Sequence, residues 1–239
     1  LRNIRLTIEF DGAGFAGWQF QPDRPTVQGA VETAIEKVTR QAVRVHGCSR
    51  TDAGVSARAF VANCRVETAL APEKLRLALN AHLPDSVHVR EAAEAAEEFQ
   101  ARYSAKGKRY EYLVVLGVSP LRRGRAWEFR YPVDAQRCRP ALALFQGTRD
   151  FQPFCLTADK NGVCTVRKVS LQAAGDELVF AVEGDRFLYK MVRRIVGALV
   201  AVGADRLSCD DITAALEGKP HRPFQTAPGC GLVLDRVEY

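Results

Sequence analysis

The sequence predicts an α+β fold in two halves, each built on a mainly antiparallel sheet. Two observations carry this. The first hundred residues alternate strand-type and helix-type hydrophobic periods in the order β-α-β-β-α-β, and the remainder mixes strands with helices again. A third is size: 239 residues, 47% hydrophobic and 26% charged, can fill one large core or two small ones.

Ile4, Leu6, Ile8 and Phe10 alternate with polar residues, the period of a half-buried strand. Gly12, Gly14 and Gly17 then match GxGxxG. A dinucleotide loop needs its third glycine inside an opening helix, with an acidic residue closing a second strand. Here Trp18 to Pro22 intervenes, Pro25 follows, and Glu32 and Glu36 fall within a helix. The Rossmann reading is rejected, and the glycines are read as permitting close backbone approach. Thr26 is a suitable N-cap for a helix from Val27 to Thr39. Val43 to His46 alternates as a strand, and Arg58 to Val66 is a second one. Pro72 opens a helix whose apolar surface is Leu75, Leu77, Leu79 and Leu83, and Val87 and Val89 return as a strand. This order is that of a ferredoxin-like unit, covering residues 1–100.

Residues 101–239 form the expected second half, after an Ala/Glu-rich connector over Ala92 to Glu98. Arg109 to Gly117 reads as a strand and Pro120 to Pro132 as a long basic loop or irregular hairpin. Asp134 caps a helix ending at Gly147. Val163 to Leu171 and Glu177 to Glu183 are strands. A helix from Phe187 to Val202 carries Leu188, Met191, Val192, Ile195, Val196, Leu199 and Val200 on its inner face, with Gly203 as its stop. Ser208 caps a short helix to Leu216, and Leu232 to Val237 closes the chain as a strand.

No apolar run approaches the roughly 20 residues that span a bilayer, and Leu1 to Arg5 lacks a signal-peptide core, so a cytoplasmic protein without membrane contact is expected. Seven cysteines, odd in number and never spaced as CxxC, argue against a disulfide framework and a zinc site. The net charge of +6 is local. Between Arg102 and Arg139 ten basic residues face three acidic ones, which leaves 24 and 25 in the rest of the chain. Lys108, Arg109, Arg122, Arg123 and Arg125 lie in this segment, interleaved with Tyr103, Tyr110, Tyr112, Trp127, Phe129 and Tyr131. Cations that neutralise phosphates among rings that stack on bases point to nucleic acid; a solvated basic face is the plainer alternative.

Gly47 to Arg58 places one carboxylate, Asp52, in a glycine-flanked loop between two strands, with Arg50 two residues before it. A nearby cation favours the ionised carboxylate, as a nucleophile or base requires. Taken locally, the same pattern fits a tight turn with a solvated Asp.

Phe10-Asp11-Gly12, Gly17-Trp18-Gln19, Arg50-Thr51-Asp52-Ala53-Gly54-Val55, Lys108-Arg109-Tyr110-Glu111-Tyr112, the run Phe187 to Gly197 and Gly231-Leu232-Val233-Leu234 occur in one order along the chain. This set resembles the tRNA pseudouridine synthases of the type-A family. The resemblance implies an isomerase that detaches uracil from ribose and rejoins it through C5, with no redox cofactor, small-molecule cofactor or metal. It implies uridines 38, 39 and 40 of the tRNA anticodon stem-loop as targets, and a homodimer. Two ferredoxin-like halves would then meet at a central basic cleft.

Carried over residue by residue, Asp52 becomes the catalytic aspartate. It could attack ribose C1′, abstract the 2′ proton or add to uracil C6. Tyr110 becomes the ring stacked on the base, Arg193 the cation paired with the aspartate, and Leu232 the apolar residue under the uracil. Arg50 takes the place of the extruded base. Arg58 is a further candidate RNA contact, and Arg194 is read as the exposed neighbour of Arg193. Ser49 and Ser56 depart from the family's usual Gly and His. A non-catalytic tRNA-binding module or RNA chaperone is the competing reading, and a carboxylate hydrolase lacks a second acid.

Overall fold

Alternation in the first ten residues becomes strand β1, Arg2–Phe10, which buries Ile4, Leu6, Ile8 and Phe10. The computed structural model describes residues 1–239. They form two compact units: Leu1–Lys106 with Val233–Tyr239, and Gly107–Leu232.

In the first unit β1 pairs antiparallel with β3 (Ser56–Val66) on one side and with β4 (Val87–Glu94) on the other. A two-residue strand β2, His46–Gly47, pairs antiparallel with β3, giving the order β4-β1-β3-β2. Helix α1, Val27–Thr39, starts at Thr26, whose hydroxyl accepts the Gly29 N–H at 3.2 Å. Helix α2, Pro72–Asn80, packs on β4. Buried Asn63 ties the sheet to the chain that leaves it: its amide donates to Asn3 Oδ1 at 2.9 Å and accepts the Ala101 N–H at 2.9 Å.

Three expectations change here. Residues 43–45 are not a strand, because α1 takes their backbone groups. Val45 N–H donates to Glu32 Oε1 at 2.9 Å, and Val45 O accepts from Gln28 Nε2 at 3.0 Å. Leu77 is 55% exposed, since a residue two positions from both Leu75 and Leu79 points off their shared helix face. Part of the Ala/Glu-rich connector is strand: Ala92 pairs with Leu6 and Glu94 with Ile4.

The last seven residues return to this unit. Strand β10, Leu232–Glu238, runs parallel to β3, with Val233 opposite Ser56 and Leu234 opposite Ala57. Glu238 O accepts the Lys106 N–H at 2.8 Å and the Tyr239 hydroxyl donates to Ala101 O at 2.8 Å. These pairings place 233–239 with the first unit, although the sequence assigned them to the second half.

The second unit has the strand order β6-β5-β9-β8-β7. Strand β5 (Gly107–Leu116) pairs antiparallel with β9 (Glu177–Gly184), β9 with β8 (Val163–Ala174), and β8 with β7 (Gly147–Asp150). Strand β6, Trp127–Phe129, lies parallel to β5 within the segment read as a basic loop. Helix α3, Ala135–Leu144, is capped by Asp134. Helix α4, Met191–Gly203, buries Met191, Val192, Ile195, Val196, Leu199 and Val200. Helix α5, Cys209–Leu216, has a capping box of Ser208 and Asp211. Helix α4 starts four residues later than its periodicity suggests: Lys190 adopts φ 59°, in the left-handed region, and closes a non-helical bend before the first turn.

All seven cysteines are free thiols. Burial pushes the Cys64 thiol up to about 12, and those of Cys138 and Cys164 up to about 11. A thiol raised on folding stabilises fully below its unfolded value of roughly 8.5. That contribution is lost as pH rises through the folded value. Urea unfolding stability is therefore expected to decline between about pH 8.5 and 12, with a shallower decline in Cys64→Ala. Equal slopes in the two proteins would remove Cys64 as a cause.

Candidate active site

The Asp52 loop rests on the turn that follows β1, and two glycines set its shape. Gly12 N–H donates to Ser56 Oγ at 2.9 Å, and a Cβ at Gly12 would overlap Val55 O and stand 2.8 Å from Gly54 C. Gly17 has φ 108°, and its Cβ would overlap Thr51 O and lie 3.1 Å from Asp52 C. Close approach of chain to chain is thus what the rejected GxGxxG motif provides. Gly14 has open space around it.

Hydrogen bonds complete the frame. Trp18 N–H donates to Thr51 O at 3.1 Å, and Val55 N–H to Asp52 O at 3.2 Å. Helix α1 is fixed to the same turn, with Val27 N–H on Gly17 O at 3.2 Å and Gln28 N–H on Trp18 O at 3.0 Å. The Trp18 ring stacks on Phe60 of β3 at 4.1 Å, and Gly47 leaves room for both rings. Asp52 is half-buried, Thr51 is buried with its hydroxyl unpaired, and Arg50 is exposed. Arg58, at the start of β3, pairs with Asp235 of β10 at 2.8 Å. Ser56, noted in the sequence only as a departure from a family pattern, proves to be a strut of the loop.

The second unit carries the remaining candidates. Tyr110 sits on β5 opposite Val182, buried, with its ring perpendicular to that of Phe187 at 5.3 Å between centroids. Arg193 lies in the first turn of α4, half-buried, and its Nε–H donates to Ala227 O at 2.6 Å. The Ala227 N–H returns a bond to Arg193 O at 3.2 Å. Residues 225–231 run from α4 to β5 in close contact with both. A Cβ at Gly197 would overlap Gln225 O, Pro228 O accepts the Tyr112 hydroxyl at 2.7 Å, and Gly231 packs on Tyr112 and Leu113 O. Burial raises the Tyr112 phenol far above its ordinary value, while the nearby Arg193 charge acts the other way. Leu232 follows directly and is buried.

Arg194 is not the exposed member of its pair. It is half-buried, donates to Pro153 O at 3.2 Å, and its buried Nε has no hydrogen-bond partner. Desolvation lowers its pKa.

The basic segment is partly engaged within the protein. Arg109, on β5 next to Lys108, bridges Glu111 at 2.6 Å and Glu183 at 3.2 Å. Arg122 pairs with Glu177 at 2.7 Å. Arg123 and Arg125 are exposed in the turn before β6. No group of three or more His, Cys, Asp or Glu side chains converges as a metal ion requires. The glycine-shaped loop thus presents a half-buried carboxylate, a group of the type that can serve as nucleophile or base.

A family model described as tRNA pseudouridine synthase matches residues 6–104 and 141–239. The chain is 39% identical over 244 residues to the tRNA pseudouridine synthase A of Acetivibrio thermocellus, covering all of both chains. It is 40% identical to that of Methylacidiphilum infernorum, over 98% of this chain and 94% of the relative. The enzyme of that name from Halalkalibacterium halodurans is 36% identical over 99% and 92%.

Gly17→Ala is expected to cost about 2–3 kcal/mol, combining left-handed strain with overlap on Thr51 O. Gly14→Ala, strained but unobstructed, should cost about 1 kcal/mol. Paired urea unfolding curves measure both, and equal losses would contradict the close contact at Gly17.

Proposed function

The chain belongs to the tRNA pseudouridine synthase family and isomerises uridine to pseudouridine in tRNA; from that premise we propose that Asp52 is its catalytic carboxylate. The observation that carries this reading is the loop itself. Its backbone is packed on Gly12 and Gly17 and hydrogen-bonded to Trp18, so the carboxylate is held rather than trailing from a flexible turn. The reaction breaks the C1′–N1 bond, forms C1′–C5, releases the C5 hydrogen as a proton and places a proton on N1, so atoms balance with no net redox change. An ionised Asp52 serves as nucleophile at C1′ or C6, or as base at C2′.

Tyr110, Arg193 and Leu232 serve the same reaction in this reading, as stacking ring, cation and apolar support for the base. Arg50 fills the gap left by the extruded nucleotide. Arg58, Lys108, Arg109, Arg122, Arg123 and Arg125 meet phosphates. The substrate is the anticodon stem-loop at uridines 38, 39 and 40, acted on by a homodimer in the cytoplasm without a cofactor. We also read both halves as ferredoxin-like, the Asp loop belonging to the first and the basic segment with Tyr110, Arg193 and Leu232 to the second. The order β4-β1-β3-β2 supports this for the first unit.

Tritium release from tRNA labelled at uracil C5 tests the catalytic assignment. Asp52→Asn is expected to bind tRNA within about threefold of the parent and lose roughly 10²–10⁴-fold in release rate. A fully active variant would sink the assignment. Replacing Arg122, Arg123 and Arg125 together with Ala should weaken tRNA binding and reduce the slope of log K against log salt by about 2–3. An unchanged slope would mean that this turn does not meet the RNA.

A further inference from the structure

Residues 185–190, between β9 and α4, look like the start of a helix in sequence yet form a strap pinned at several points. Asp185 Oδ1 accepts from Thr165 N–H at 2.8 Å and from Arg186 N–H at 2.6 Å. Arg186 reaches back to the loop before β8, donating to Asn161 O at 3.1 Å and Asp159 Oδ1 at 3.4 Å. Tyr189 O accepts the Leu156 N–H at 3.1 Å, and Lys190 turns the chain through the left-handed region. Leu188 faces the core, 5% exposed, whereas Phe187 is only half-buried.

Phe187 packs its ring perpendicular to Tyr110, 5.3 Å away at 89°. Gly184 makes room for it, since a Cβ there would come within 3.0 Å of the Phe187 ring. A tyrosine ring rotates broadly about its terminal torsion. A stacking ring, by contrast, must keep one plane. A perpendicular neighbour on a pinned strap supplies that restraint.

We propose that Phe187 is a positioning residue that fixes the ring plane of Tyr110 for stacking on the target base. This rests on the stacking reading of Tyr110. The strap's other contacts then acquire a purpose: Asp185 and Arg186 hold the backbone from which Phe187 projects.

The test is a double-mutant cycle with kcat and KM measured separately on tRNA. Phe187→Leu is expected to lower kcat about 10–100-fold through misplacement of the ring, leaving KM and filter-binding affinity within about threefold. Phe187→Tyr keeps the ring and should retain kcat. Tyr110→Leu should be slow, and adding Phe187→Leu to it should cost no more, because the two act as one unit. A Phe187→Leu enzyme with parental kcat, a loss confined to KM, or losses that multiply in the double variant would each overturn the proposal. A fully active Tyr110→Leu would instead overturn the stacking reading beneath it. Should Phe187→Leu fail to fold by circular dichroism, Phe187→Met, which fills the volume without a ring, decides by the same kcat criterion.

Discussion

Residues 51–55 can follow their path only because Gly12 and Gly17 carry no side chains. The carbonyls of Thr51 and Val55 occupy the space a Cβ would need. Close-packed backbone of this kind tolerates no compromise, since neither side has a rotamer to adjust. Other features of the first unit converge on it. Strand β1 ends one residue before the turn, α1 takes two of its first backbone bonds from the same segment, and β3 begins at Ser56, whose hydroxyl holds Gly12. Trp18 and Phe60 fill the space beneath as a stacked pair beside Phe10. Asp52 is the carboxylate this frame carries, on a backbone held by Gly12, Gly17 and Trp18.

The second unit solves a similar problem with a returning strap. A half-buried guanidinium at the start of α4 costs free energy unless its donors are met, and a bond from a charged donor contributes about 1.5–3 kcal/mol. Ala227 O meets one donor of Arg193. Gln225 O packs where Gly197 leaves a gap, and Pro228 O takes the Tyr112 hydroxyl. Backbone carbonyls spaced along residues 225–228 therefore hold helix and strand together, and lead the chain into Leu232. Neighbouring Arg194 lacks a comparable partner for its Nε.

Periodic segments were legible because burial on one face leaves a mark in the residues themselves. This holds for β1, for α1 with its Thr26 cap, and for the inner face of α4. What failed to show was decided by partners distant in sequence. Residues 43–45 have a strand's pattern, but Glu32 and Gln28 claim their backbone. Residues 187–190 continue a helical period, but the strap's contacts with residues 156–161 and Tyr110 pull them out of it. Strand β7 is exposed at all four positions, so it has no hydrophobic signal to read. The same division applies to the site. The Asp52 motif could be recognised, whereas the role of Ser56 and the object of the glycines' close approach needed the fold.

Ion pairs decide how much of the basic segment can serve RNA. Arg109 bridges two carboxylates and is 20% exposed, as are its partners to within a few percent. To reach a phosphate it would leave two acids behind on adjacent strands, and breaking such a network costs more than an exposed pair. Arg122 is 48% exposed with a single partner, and Arg58 is 51% exposed with Asp235. Pairs of that kind contribute about 0–1 kcal/mol and exchange readily with salt or phosphate. Arg109 thus braces β5 to β9, and the phosphate contact proposed for it costs more than those proposed for Arg58 and Arg122. Counting charges along the sequence identifies the basic segment, and the carboxylates across the sheet set what a paired cation gives up to meet a phosphate.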